Sequence, residues 1–312
     1  MQSKKYLLYQ YEMSQDEIQR AGLKHQTSNL YAFLKESYLL NRIAVIPKFH
    51  LGGLHNNGQD LSGHLDKYYD FENLKINGKR NYVIFEDEIK ISNTSKETLV
   101  VGMYQNITYS QNMEYPIIIR KLKNILWRIP LYENYKEKSS KIKISLPPSR
   151  KVQRIAQQAV QELKKGGGYC SVHVRRGDRL DEHIGLRLFT SVFWIKRILK
   201  RNIPADATLF IMSDERKPGY FDSLESLYHV YHWNTIPAIE GRGMVSEDMN
   251  DNYFLFAVEQ SIWKEAYFKI GTFDPIGEAD CVLYPRFLDR SRNIQARTGI
   301  GNAIHHLSLI HI

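Results

Sequence analysis

Two kinds of apolar run alternate along the chain. The segments "RIAVIPKF" (42–49), "NYVIFED" (81–87), "TLVVGMY" (98–104) and "YPIIIRK" (115–121) are short, apolar and rich in β-branched side chains, which predicts buried strands. From 150 to 168 the pattern changes to "RKVQRIAQQAVQELKKGGG", where Val152, Ile155, Ala156, Ala159, Val160 and Leu163 recur at i, i+3, i+4 and i+7. That spacing predicts an amphipathic helix stopped by glycines. Further on, "YCSVHV" (169–174), "ATLFIM" (207–212), "LYHVYHW" (227–233) and "YFKIGT" (267–272) read as strands. Between them, "FTSVFWIKRILK" (189–200) and "DNYFLFAVEQSIWKEA" (251–266) read as helices. Strands alternating with helices imply parallel βαβ units. The fold class expected is α/β, with two Rossmann-like domains facing a central cleft.

The boundary between them is compositional. From 133 to 150 the chain turns charged and Pro/Ser-rich, "ENYKEKSSKIKISLPPSR". A length of 312 residues suits two domains of roughly 150 each. We therefore expect a first domain at 1–145 and a second at 146–306. The last six residues, 307–312 ("LSLIHI"), have the look of foreign sequence, the alternative being a short apolar tail.

Composition narrows the function classes. With 43% hydrophobic and 25% charged residues the chain is neither disordered nor fibrous. No transmembrane segment is expected, and the broken apolar stretch at the start does not read as a secretory signal. The expected location is cytoplasmic, or the secretory-pathway lumen if an upstream signal or anchor precedes this chain. A net charge of +9 favours a polyanionic partner. That partner could be nucleic acid, an acidic membrane surface or a nucleotide phosphate; the basic residues are scattered, as on a solvated face, so no nucleic-acid partner is expected. Cys170 and Cys281 lie in apolar runs without metal-ligand spacing, so both read as buried thiols and no metal is expected.

Candidate chemistry gathers at strand ends, where open α/β sheets bind ligands. "YCSVHV" runs into His173, Arg175, Arg176, Gly177 and Asp178; "ATLFIM" into Ser213, Asp214 and Glu215; "YFKIG" into Thr272 and Asp274. Guanidinium groups, hydroxyls and carboxylates at one crevice suit a diphosphate bearing a base and a sugar, because arginine donates a planar, charge-assisted fork. The first half adds "FHLGGLHNNG" after a strand, with Gly52 and Gly53 for a tight turn and His55, Asn56 and Asn57 as neutral hydrogen-bonding groups. Arg176–Gly177–Asp178 spells an adhesion tripeptide, but it follows a buried strand rather than an exposed loop.

Four stretches together carry a family resemblance. "HVRRGD" resembles the H-x-R-R-G-D/T-D motif of GDP-fucose-dependent fucosyltransferases, namely the α1,6 and nodulation enzymes, the protein O-fucosyltransferases and, more remotely, the α1,2 enzymes. "GGLHNN" is similar to their N-terminal glycine loop, "LFIMSDE" to their strand ending in Thr/Ser-Asp, and the helix from Asp251 into "IGTF" to their third motif. The resemblance runs in motif order over residues 42–275. It implies a GT-B-like fold and an inverting, metal-independent transfer of fucose from GDP-fucose to a hydroxyl of a glycan or protein acceptor, with no cofactor beyond the donor.

By the same resemblance, His173 contacts the nucleoside, Arg175 the β-phosphate, and Arg176 supports the pyrophosphate. Asp178 holds the arginines, Asp214 lines the nucleotide crevice and Thr272 hydrogen-bonds phosphate. The glycine loop and Asp251 complete the donor site. The α1,6 branch places a Glu base a few residues past the arginines; Glu182 is the first choice here and Asp181 the second, one position out of register. "TFDP" lacks the serines the family often has after the third-motif Thr, and "GLHNN" lacks the usual Gln. The rival classes are a transferase of another nucleotide sugar and a non-catalytic relative that binds a nucleotide or polyanion.

Overall fold

The structure is a computed structural model and describes residues 4–12, 22–53, 56, 58–88, 97–102, 105–123, 138–177, 179–183, 185–215, 217–236, 248, 250–273 and 278–284. The terminal segment 307–312 lies outside them. The chain divides into two units, residues 1–154 with 245–258, and residues 155–244 with 259–312. The single boundary expected at 145/146 has no counterpart to the return of 245–258.

In the first unit, five parallel strands form the main sheet: β1 (Tyr6–Glu12), β2 (Ile43–Ile46), β7 (Val83–Phe85), β8 (Thr98–Val101) and β9 (Ile117–Lys123), in the order β7-β2-β1-β9-β8. Leu7, Leu8, Val45 and Ile118 are almost wholly buried. Adjacent apolar residues of one strand can both be buried only when the sheet is covered on both faces, so these strands read as unbroken apolar runs. Helix α1 (Leu23–Leu39) joins β1 to β2. Small antiparallel pieces hang on this sheet: β3 (Phe49–Leu51) with β4 (Leu61–Gly63), and β10 (Ile144–Ser145) with β5 (Lys75–Ile76) and β6 (Lys79–Arg80). The β5–β6 hairpin turns on Asn77 and Gly78, at φ 50° and 78°. Both central residues being left-handed is what a type I′ turn requires, and Asn-Gly supplies it at low cost. The short helix α2 (Tyr109–Glu114) opens on a capping box between Thr108 and Gln111.

Helix α3 (Arg150–Leu163) forms where the 3.6-residue period predicts it, and all six apolar positions named above are buried. The second unit's sheet is again five parallel strands, β13-β12-β11-β14-β15. Its strands are β11 (Tyr169–Val174), β12 (Thr208–Ser213), β13 (His229–Tyr231), β14 (Phe268–Gly271) and β15 (Cys281–Val282). Two short helices, α4 (Arg179–Glu182) and α5 (Leu186–Phe189), follow β11. Ser191 then caps α6 (Val192–Asn202) through a hydrogen bond from Trp194 N, which splits the single helix expected over 189–200. Ile195 and Leu199 of α6 pack with Cys170, Val172, Leu209, Ile211 and Ile270 in one core. Helix α7 (Asn252–Glu265) leads into β14. Cys170 is a buried free thiol, while Cys281 is only half-buried.

In order of chain, the second sheet reads 3-2-1-4-5, the doubly wound arrangement with its reversal between β11 and β14. The chain thus has the expected α/β class, with a Rossmann-like sheet in each unit. Among the described residues, no helix is long and apolar enough to cross a membrane.

Candidate functional site

The connections after β11 and β14 leave the sheet on either side of its reversal, which is where such folds open a crevice. Here the two strand ends are tied together. Arg175 N donates to Thr272 Oγ1 at 2.7 Å, and Thr272 Oγ1 donates to the His173 carbonyl at 2.6 Å. Thr272 is fully buried, so its hydroxyl fixes the backbone of Arg175. His173 is half-buried on β11, paired across to Met212 and Gly271.

Both arginines are held by acids from the end of β12. Arg175 Nη1 lies 2.7 Å from Asp214 Oδ2. That oxygen is buried and makes no in-line hydrogen bond, so the contact is one of charge. Asp214 Oδ1 accepts from Arg176 N at 2.6 Å. Arg176 Nε donates to Glu215 Oε2 at 2.5 Å, its Nη1 donates to Thr190 Oγ1 at 2.7 Å, and its guanidinium lies 4.6 Å from the Tyr220 ring centre. The consequence is a division of labour. The Arg176 side chain is 11% exposed and locked on several sides, whereas that of Arg175 is 28% exposed. Gly177 makes the arrangement possible. Its φ is +24°, and a Cβ there would stand 2.5 Å from Asp214 Oδ2.

The remaining expected residues divide. Ser213 donates to the Val174 carbonyl and accepts from Glu215 N, so it serves the strand ends themselves. Asp178, expected to hold the arginines, lies outside the described residues. Asp181 and Glu182 lie on α4, but their side chains are outside the described residues, as is Asp274. His183, beside them, packs 4.8 Å from the Phe273 ring and 5.6 Å from the Tyr284 ring.

In the first unit, the glycine loop and Asp251 form a different kind of cluster. Gly53 N donates to Asp60 Oδ1, and a Cβ on Gly53 would come 2.7 Å from the Gly58 backbone. Close packing of the loop on itself therefore requires that glycine. Asn56 is fully buried; its Nδ2 donates to the Gln59 carbonyl and its Oδ1 accepts from Asn252 N. Tyr253 Oη donates to the Gly52 carbonyl. Asp251 Oδ1 accepts from Tyr253 N and Phe254 N, while Oδ2 accepts from Lys67 Nζ at 2.6 Å and Tyr68 Oη at 3.0 Å. A carboxylate offers about four acceptor sites. Asp251 spends them on capping α7 and fastening it to residues 67–68. His55 and Asn57 lie outside the described residues.

One polar group escaped the sequence reading. Glu259, on α7 within the second unit, is 8% exposed, and its Oε1 has no hydrogen-bond partner. Burial, with the charge of Asp214 adding to it, pushes its carboxyl up to about 8, so it carries a proton at neutral pH. The available signal was a lone acid inside "FLFAVEQSIW", four residues after the buried Leu255 and three before the buried Ile262.

No family model and no curated protein matches this sequence. Solved structures do. The structure of POFUT1 in complex with GDP-fucose is similar over 87% of this chain and 91% of that one, at 12% identity and a TM-score of 0.50. Fucosyltransferase NodZ from Bradyrhizobium aligns over 88% and 91% at 12% identity and a TM-score of 0.47. FUT1 from Arabidopsis thaliana, in complex with GDP, aligns over 86% and 66% at 12% identity and a TM-score of 0.45. At this identity, the likeness to POFUT1 establishes a shared GT-B-like fold.

Proposed function

We propose that this chain is a glycosyltransferase that moves fucose from GDP-fucose to a hydroxyl of a glycan or protein acceptor. The observation that carries the reading is the placement of Arg175. It stands at the carboxyl end of the central strand, beside the sheet's reversal, with its backbone fixed by Thr272 and its guanidinium partly exposed against Asp214. The shared fold with a structure solved in complex with GDP-fucose supports the choice of donor.

In the reaction proposed, the acceptor oxygen attacks C1 of fucose from the face opposite the diphosphate. The bond from C1 to the β-phosphate oxygen breaks, GDP departs, and the anomeric centre inverts. Charge accumulates on the β-phosphate as that bond breaks. A preorganised guanidinium stabilises it more in the transition state than in the ground state. Arg175 takes this role with no metal, and Arg176 supports it from its closed pocket. His173 faces the nucleoside, and Thr272, its hydroxyl engaged by His173 and Arg175, acts on the phosphates through the Arg175 backbone it fixes. The acceptor proton passes to a carboxylate on α4, Glu182 first and Asp181 second.

A donor screen with the purified chain tests the reading. GDP-fucose should be consumed in the presence of glycan and glycosylated or folded protein acceptors, and other GDP- and UDP-sugars should not. Turnover of a different nucleotide sugar would replace fucose as the donor. Binding of GDP without any turnover would recast the chain as a non-catalytic relative.

A further inference from the structure

The outer face of α6 is built unlike any surface the proposed transfer requires. Phe193, Lys196, Arg197, Lys200 and Arg201 fall at i, i+3, i+4, i+7 and i+8, so they share one stripe of the helix. The opposite stripe, Ile195 and Leu199 with Val192 and Ile198 beside them, packs into the core of the second unit. Phe193 is nevertheless 71% exposed on the basic side, and Leu188 on the preceding helix α5 is 57% exposed. An exposed phenyl ring among cations, with an exposed leucine five residues before it, gives this part of the chain an apolar as well as a charged element.

Charge narrows the partner. From Leu186 to Asn202 there are five basic residues, Arg187 included, and no acid. The described acids next to α6 lie on one flank, in the turn at Asp222–Leu224 and at Glu225, where Lys196 Nζ reaches the Ser223 carbonyl. Asp222 turns towards Gly219, whose Cβ, if present, would be 2.8 Å from its Oδ2. A surface that offers fixed cations around protruding Phe and Leu side chains matches a partner with an anionic exterior and an apolar interior. A nucleic acid would match the cations and stack on the phenyl ring, but it has nothing for the leucine.

We propose that Leu188 and Phe193, with Lys196, Arg197, Lys200 and Arg201, seat the chain on an anionic lipid surface, α6 lying in the plane of the headgroups. Basic side chains draw the helix to the charged leaflet, and the two apolar side chains enter the acyl boundary. The seat is independent of the identity of the donor nucleotide.

Co-sedimentation of the full chain with vesicles tests this. It should pellet with vesicles of phosphatidylcholine and phosphatidylserine in equal parts, and much less with phosphatidylcholine alone. Arg197→Ala and Lys200→Ala should each weaken binding about fivefold, and raising the salt should weaken the wild type similarly. Phe193→Ser should lose roughly tenfold more, in a manner that salt does not mimic. All three positions are on the helix surface, so an unchanged thermal midpoint is expected and checks the fold. Equal binding to neutral vesicles, or no loss in the three variants, overturns the proposal. So does tight binding of single-stranded RNA that the chain prefers to anionic vesicles, which would make the stripe a nucleic-acid surface.

Discussion

Each unit contains an arginine paired with a carboxylate on or beside its central parallel sheet, and the two pairs differ in how far they are shut away from solvent. Arg120 on β9 is 1% exposed, bonded to Glu36 through two nitrogens and to the carbonyls of Gly102 and Gln105 through a third. Glu36 in turn accepts from Tyr9 Oη. Arg175 lies at a strand end in the second unit, its side chain 28% exposed beside Asp214, whose own side chain is 26% exposed. The chemistry of the groups is the same. What differs is closure: the first pair is sealed inside the fold, and the second stands partly in solvent, as the role proposed for Arg175 requires.

The largest expected effect breaks the closed pair. Arg120→Ala leaves Glu36 buried and unpaired and should cost about 3–5 kcal/mol of stability, read as a lowered thermal midpoint. Replacing both partners by apolar residues, Arg120→Met with Glu36→Leu, should recover most of that loss. Failure of the double variant to recover would show that the four-way network around Arg120, rather than its charge balance, holds β9.

The next test turns on Glu259. Its folded value is raised to about 8 from an ordinary 4.5, so the folded state binds the extra proton between those limits. Stability should therefore fall as pH rises from about 4.5 to about 8 and level off above. Glu259→Gln keeps the shape, removes this slope and should stabilise the chain at pH 8 by on the order of a few kcal/mol. Parallel pH profiles for the two proteins would show instead that Glu259 is ionised in the folded state.

A smaller effect sharpens the open pair. Gly177→Ala should cost about 1–2 kcal/mol in backbone strain. Its methyl should also push the Asp214 carboxylate off Arg175 and off the Arg176 N–H, so transfer should fall by more than the stability change explains. Unaltered transfer would mean that Asp214 does not position Arg175.

Much of this second-unit site was legible because its signals are local. The apolar runs of β11 and β12 and the six-position stripe of α3 announce their elements, and "HVRRGD" follows directly on its strand. Other parts were not legible, for physical reasons. Helix α1 carries buried Gln26, Asn29, Glu36 and Ser37, which erase its apolar period. The return of 245–258 to the first unit rests on Asn56 with Asn252 and on Lys67 with Asp251, contacts between residues far apart in sequence. The clamp on Arg176 likewise joins Glu215, Thr190 and Tyr220, which no spacing rule connects.

The most direct test of the open-pair account is to measure fucose transfer from GDP-fucose and the thermal midpoint together for wild type, Arg175→Ala and Arg175→Lys. Loss of one preorganised charged donor is worth about 2.7–4 kcal/mol in the transition state, so Arg175→Ala should lose roughly a hundred- to a thousandfold in rate at an unchanged midpoint. Lysine should restore little, since an ammonium lacks the planar fork. Full transfer by Arg175→Ala, or a fall in its midpoint as large as that of Arg120→Ala, would contradict the account.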